Sequence, residues 1–158
     1  MKTITITDSA EMAQIISECQ ICFVGFATPD GMPYVLPMNF AYHEGQIILH
    51  SAPFGTHQQI LESNNHVCIA FCTEGKLVYQ HQDVACSYRM DSKSVICKAT
   101  IRFEENLEQK EELLNIFMRK YSDKAFKYSL PALRNVKIWI ADVHEMTAKA
   151  FGQPHFRK

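Results

Sequence analysis

The chain has 158 residues, 47% of them apolar and 21% charged, with 16 Lys and Arg set against 17 Asp and Glu. That is ordinary globular composition for one domain spanning 1–158. It excludes disorder, and the net charge of −1 excludes wholesale electrostatic binding to nucleic acid or an anionic membrane. The charge is unevenly placed: no Lys or Arg lies between Lys2 and Lys76, a stretch holding seven acidic residues. An anionic ligand held by the first half must therefore use amides, hydroxyls or histidines there, with strong cations coming from the second half or a second subunit.

In chain order, Asp8-Ser9-Ala10-Glu11 has the form of a capping box and predicts a short helix with Met12, Ile15, Ile16 and Cys19 on one face. Residues 21–28 read as a strand, Pro29-Asp30-Gly31 as a turn, 33–42 as a second strand and 46–51 as a third, together a three-strand meander. Residues 56–63 read as a helix, and 67–72 and 76–79 as further strands. Ser94–Phe103 alternates most cleanly, with Val95, Cys97, Ala99, Ile101 and Phe103 on one face. A helix is predicted over 107–121, with Leu114, Phe117 and Tyr121 in its apolar stripe, and a last strand over 136–146. Strands in meander order with interrupting helices predict a mainly β protein, a small antiparallel barrel with helices outside.

Apolar runs such as Ile21–Ala27 fall far short of the roughly 20 residues of a membrane span. The N-terminus lacks the apolar core of a signal peptide, and six cysteines are too dilute for a disulfide scaffold, so a reduced cytoplasmic protein with mostly buried cysteines is expected. Cys19 and Cys22 are spaced as metal or redox ligands. Their natural partners Cys68 and Cys72 would lie roughly 13 Å apart along a strand, too far to share one ion, so no metal is expected. Gly75-Lys76 lacks the remainder of a phosphate-binding P-loop, and no G-x-S-x-G elbow or H-E-x-x-H pair is present.

One constellation remains: His50-Ser51-Ala52-Pro53-Phe54-Gly55-Thr56-His57, between a strand end and a helix start. Gly55 permits close backbone approach, and the helix start offers unpaired N–H groups and a favourable dipole. Ser51, Thr56 and His57 add side-chain hydrogen bonds, a chemistry suited to phosphate. Helix capping alone would also explain these residue types.

The run Gly25–Tyr42, including Pro37-Met38-Asn39-Phe40, leads into Gly45-Gln46-Ile47-Ile48-Leu49-His50-Ser51-Ala52. With Asn64-Asn65-His66-Val67-Cys68, Lys93-Ser94-Val95-Ile96 and Glu145-Met146-Thr147-Ala148-Lys149, it resembles the flavin-binding split β-barrel proteins related to pyridoxamine 5′-phosphate oxidase. Within them it is most similar to the 5-nitroimidazole resistance branch. The resemblance implies a six-stranded antiparallel split barrel and a homodimer with FMN in a groove between subunits. It places Pro37, Met38, Asn39 and Phe40 beside the isoalloxazine and His50, Ser51, Gly55, Thr56 and His57 around the phosphate, with Lys93 and Ser94 completing the site. It also implies an FMN-dependent oxidoreductase passing electrons to a small aromatic acceptor, with no catalytic side chain assigned.

A non-catalytic flavin carrier or a haem-binding barrel with His50 or His57 as axial ligand is the alternative. A true pyridoxamine 5′-phosphate oxidase fits less well, because the closing Phe151–Lys158 does not resemble that enzyme's usual ending. Relatives usually carry Lys or Arg at the position of Thr56 or His57. Their absence removes a charge-assisted contact worth roughly 1.5–3 kcal/mol, for which Lys93, Arg89 or Arg102 would have to compensate.

Overall fold

The computed structural model describes residues 2–154. Its strands are β1 (Lys2–Ile6), β2 (Cys22–Ala27), β3 (Pro33–Met38), β4 (Ala41–His43), β5 (Gln46–Ser51), β6 (His66–Cys72), β7 (Lys76–Val78), β8 (Arg89–Glu104) and β9 (Lys137–Gln153). Its helices are α1 (Ser9–Glu18), α2 (Thr56–Ser63), α3 (Leu107–Arg119) and α4 (Leu130–Asn135). All strand pairs are antiparallel, in the order β3-β2-β6-β8-β9-β5-β4, with β1 on β9 and β7 on β8. The fold is the expected antiparallel barrel with flanking helices, but with nine strands. Short β1, β4 and β7 supplement the six longer strands.

Closure follows from chain geometry. The two end strands, β3 and β4, are joined by Asn39 and Phe40 alone, a link spanning about 11 Å at most. Seven strands laid flat would set those ends roughly 29 Å apart. The sheet therefore curls on itself, and its end strands β3 and β4 do not pair, which leaves the barrel split along that line.

This corrects the predicted meander. Residues 33–42 are not one strand: β3 returns along β2, and β4 starts a separate hairpin with β5. Phe40 reads as a strand residue because it is apolar, yet its ring turns fully into the core, 4.8 Å from that of Phe71, with the Lys120 ammonium 4.3 Å above it. Its backbone is satisfied by a side chain rather than a neighbouring strand. The Phe40 N–H donates to the Tyr121 hydroxyl (2.9 Å), and that hydroxyl's proton faces the carbonyls of Gln20 (2.9 Å) and Phe40 (3.0 Å).

Elsewhere the local signals decide. Asp8 caps α1, accepting from Glu11 N–H at 2.7 Å. The reciprocal half of the capping box is not made, since Glu11 instead holds Lys93 Nζ at 2.8 Å. Helix α2 has the predicted bounds. In β8, Val95, Cys97, Ala99 and Ile101 are buried as the alternation requires. Strand β9 runs seven residues past its predicted end, and the unpredicted β1 pairs with that extension.

The barrel interior is filled by these residues together with Val24, Ile69, Phe71 and Trp139, and is plugged by Ile15 and Ile16 of α1. A second apolar cluster lies where Leu114 and Phe117 of α3 and Leu133 of α4 cover Ala41, Ile48 and Ile138. The outer faces of β3, β2, β6 and β8 lie outside both clusters, and there Val35 (56% exposed), Phe23 (43%) and Ile96 (36%) stand open. Only three cysteines are buried, Cys19, Cys22 and Cys97. Cys68, Cys72 and Cys86 are exposed, the first two because both occupy outward positions of β6. No described helix is long and apolar enough to cross a membrane.

Tyr121 thus fastens the link that closes the sheet. Tyr121→Phe leaves buried polar groups of Phe40 without partners, and is expected to lower unfolding free energy by about 1–3 kcal/mol in a urea titration monitored by Trp139 fluorescence.

Candidate functional site

Strand β5 ends at Ser51, directly opposite Lys137 in β9, and four loop residues lead to α2. Gly55 is the N-cap of α2, with φ +143°, a conformation that a side chain strains. A Cβ there would also lie 2.7 Å from His57 Cε1, so the turn and the imidazole need glycine together. No side chain caps α2, while Gly55 O accepts from Gln58 N–H and Gln59 N–H at 3.1 and 3.4 Å. The positive end of the helix is thus left facing the turn, with Thr56 exposed beside it.

Ser51 organises the turn from below. Its hydroxyl donates to Ala52 O (2.7 Å) and accepts from Trp139 Nε1–H (3.1 Å). Because its one proton is committed, the 3.2 Å contact with His57 Nε2 assigns the hydrogen to that nitrogen and leaves Nδ1 as an acceptor in the neutral ring. The His57 ring packs 5.2 Å from that of Trp139, which in turn meets Phe103 edge-on at 6.3 Å.

His50 does not join this group. It points to the opposite face of β5, with its ring 4.6 Å from Phe117 and its Nδ1 buried without a partner. Burial holds its pKa below the ordinary value of 6.5. It lines a groove of about 360 Å³ with Ser51 and Ala52 at the start of the loop and Ala132, Asn135 and Val136 of the α4 region.

Pro37 and Asn39 are exposed on the open side of the split, and Met38 is half-buried against the core. Strand β3 pairs only with β2, so its other edge is free, and Pro33 and Pro37 suit an edge strand because they lack an N–H. Phe40 is fully buried, so its ring is a core element and presents no face to a ligand.

Lys93 and Ser94 lie at the far end of the long ladder, opposite Ala150 and Lys149. Phe103, which belongs to the Ser51 end, is ten positions further along β8, roughly 33 Å of strand. Within one chain these two residues are not brought to the turn. The alternative cations are engaged as well: Arg89 with the carbonyls of Cys86 and Tyr88, and Arg102 with Asp142 at 3.0 Å. The cation that does stand by Ser51 is Lys137, which sequence reading passed over. Its ammonium lies 5.0 Å over the Phe103 ring and is hydrogen-bonded to Glu105, whose carboxyl it holds below the ordinary carboxylate range. No local signal marks Lys137, because its place depends on a β5–β9 pairing 86 residues apart.

A family model described as pyridoxamine 5′-phosphate oxidase matches residues 8–150. The chain belongs to that family. Among solved structures, a candidate 5-nitroimidazole antibiotic resistance protein from Bacteroides thetaiotaomicron is 46% identical, with a TM-score of 0.87 over 95% of this chain and 88% of that one. An FAD- and haem-binding protein from Mycobacterium smegmatis (TM-score 0.83, 10% identity, 94% and 74% covered) has the same fold. So does a flavocytochrome from Azotobacter vinelandii (0.82, 16%, 98% and 72%). No curated protein matches the sequence significantly. In the closing stretch, 155–158 lie outside the described residues, so its difference from the family's usual ending is a statement about sequence alone.

The buried His50 gives a pH prediction. Its folded-state pKa lies below the unfolded value, so its contribution to stability is complete above pH 6.5 and is lost as pH falls toward the lowered value. His50→Phe is expected to flatten the decline of the urea midpoint below pH 6.5, and an unchanged slope would contradict the assignment.

Proposed function

We propose that this chain is an FMN-dependent oxidoreductase acting as a homodimer, with the flavin held along the split beside the free edge of β3. The observation that carries this reading is the Ser51–His57 turn: an uncapped helix start, a glycine where a Cβ would collide, and a hydroxyl and imidazole already oriented. The residues present fit a flavin nucleotide. The turn suits an anionic phosphate, and the free edge of β3 with Pro37, Met38 and Asn39 offers a flat wall for the ring.

Bound FMN would supply hydride or electrons to a nitroaromatic or quinone-like acceptor. The chain's own residues bind and orient. Ser51 fixes the His57 tautomer, and Trp139 backs the imidazole. No side chain is assigned as acid or base. Six unpaired thiols, three of them exposed, fit a reduced cytoplasmic setting.

The dimer accounts for two further observations. Pro37, Phe23, Ala70 and Ile96 form one cross-strand row on the open face, with Val35 and Gly25 in the next. A second copy would cover this apolar row. A two-fold partner would also bring a second Lys93–Ser94 end into play, which one chain cannot bring to its own turn.

A haem in place of flavin would use His50 or His57 as axial ligand. The uncapped start of α2, which suits a phosphate, favours flavin instead.

The protein loaded with excess FMN and stripped of free dye is expected to retain flavin absorption, and to oxidise a nicotinamide donor only when a nitroaromatic or quinone acceptor is present under anaerobic conditions. A Soret band contradicts the cofactor, and retained flavin without turnover contradicts the enzyme. Phe23→Asp is expected to shift the protein from dimer to monomer by light scattering.

A further inference from the structure

The Ser51 end of the barrel carries a charge imbalance that the binding residues above do not use. Glu105 serves two lysines. Lys110 is 3% exposed, and its ammonium lies on the carbonyl oxygens of Val136 (2.9 Å) and Leu133 (3.4 Å) and 3.6 Å from Glu105 Oε2. Lys137 takes the other oxygen, Oε1. One carboxylate against two ammonium groups leaves one positive charge in excess. Lys110 is sealed in, so Lys137, with a side chain 23% exposed, is the member free to exchange partners.

Its position points that charge at the turn. Residues directly opposite in an antiparallel pair project to the same face with Cβ atoms about 5 Å apart, and Lys137 is opposite Ser51. Trp139, two residues on and so on the same face, donates to Ser51 Oγ and packs on His57. Phe103, under the Lys137 ammonium, meets the other side of this cluster. The turn itself contains no Lys or Arg, while Lys93, Arg89 and Arg102 are distant or engaged. A phosphate ester carries close to two negative charges near neutral pH, more than one helix start balances.

We propose that Lys137 recognises the terminal phosphate of FMN at the Ser51–His57 turn, leaving Glu105 to Lys110 as it does so. The assignment rests on the flavin reading above. It explains how a turn without Lys or Arg holds a phosphate: the cation comes from the last strand, across the sheet, instead of from the start of the helix.

The test compares FMN with riboflavin, which lacks the phosphate, by quenching of flavin fluorescence on the flavin-free protein. The unmodified protein is expected to prefer FMN. Lys137→Met is expected to weaken FMN binding about ten- to a hundredfold while leaving riboflavin unchanged, and Lys137→Arg to restore most of the preference. Far-UV circular dichroism establishes that each variant is folded, and the arginine variant keeps the test open if the methionine variant is not. If FMN preference survives in Lys137→Met, the assignment is overturned and the flavin reading stands. If the unmodified protein binds both flavins equally, phosphate recognition at the turn is overturned. Uptake of neither flavin overturns the flavin reading and the assignment with it.

Discussion

The structure depends on how its sheet is closed. Two residues, Asn39 and Phe40, join strands at opposite ends of a seven-strand path, so the sheet cannot lie flat. The link is held by burial of the Phe40 ring and by one hydroxyl, that of Tyr121, which serves both backbone polar groups of Phe40. Closure through the chain, not through a ladder of hydrogen bonds, leaves the end strands β3 and β4 unpaired. That gap is the feature from which the functional reading starts. A fully paired barrel of this size would fill its interior with side chains and leave no edge for a planar ligand.

The placement of charge follows from the same architecture. The first half of the chain has no Lys or Arg between Lys2 and Lys76, yet it supplies β3, β5 and the Ser51–His57 turn. Cations reach this region only through tertiary structure. Lys120 reaches back from the end of α3 to the Phe40 ring and to Ser17 O, and Lys137 arrives opposite Ser51 through the β5–β9 ladder. Helices α3 and α4, packed over β4, β5 and β9, bury Lys110 and so fix Glu105 between two lysines. The outer packing of the barrel thereby sets the electrostatics at its split.

How much of this was legible in the sequence depended on the range of the interactions. Helix α2, the Asp8 cap and the alternation of β8 are local and were readable residue by residue. The Gly55 turn was readable because glycine, hydroxyls and a helix start are adjacent in the chain. The break at Phe40 was not, since an apolar residue between strand-like neighbours looks like more strand until Tyr121, 81 residues away, claims its backbone. His50 and His57 look equivalent in sequence. One strand position and one turn send them to opposite faces of β5, one against Phe117 and the other against Trp139. Resemblance groups Lys93 with the turn, but its position along β8 shows that a single chain does not bring them together. The family itself was legible from order and spacing spread over nearly the whole chain, and the family match covers residues 8–150.

The central claim is that a flavin phosphate seats on the uncapped start of α2. Backbone amide chemical shifts, followed by NMR while FMN is added to the isotopically labelled protein, test it most directly. The account predicts the largest shifts at the amides of Gly55, Thr56 and His57, with riboflavin moving Met38 at the end of β3 and the adjacent Asn39 but leaving those three nearly unmoved. Equal shifts at the turn with both ligands, or FMN shifts confined to the His50 groove beside α4, would contradict it.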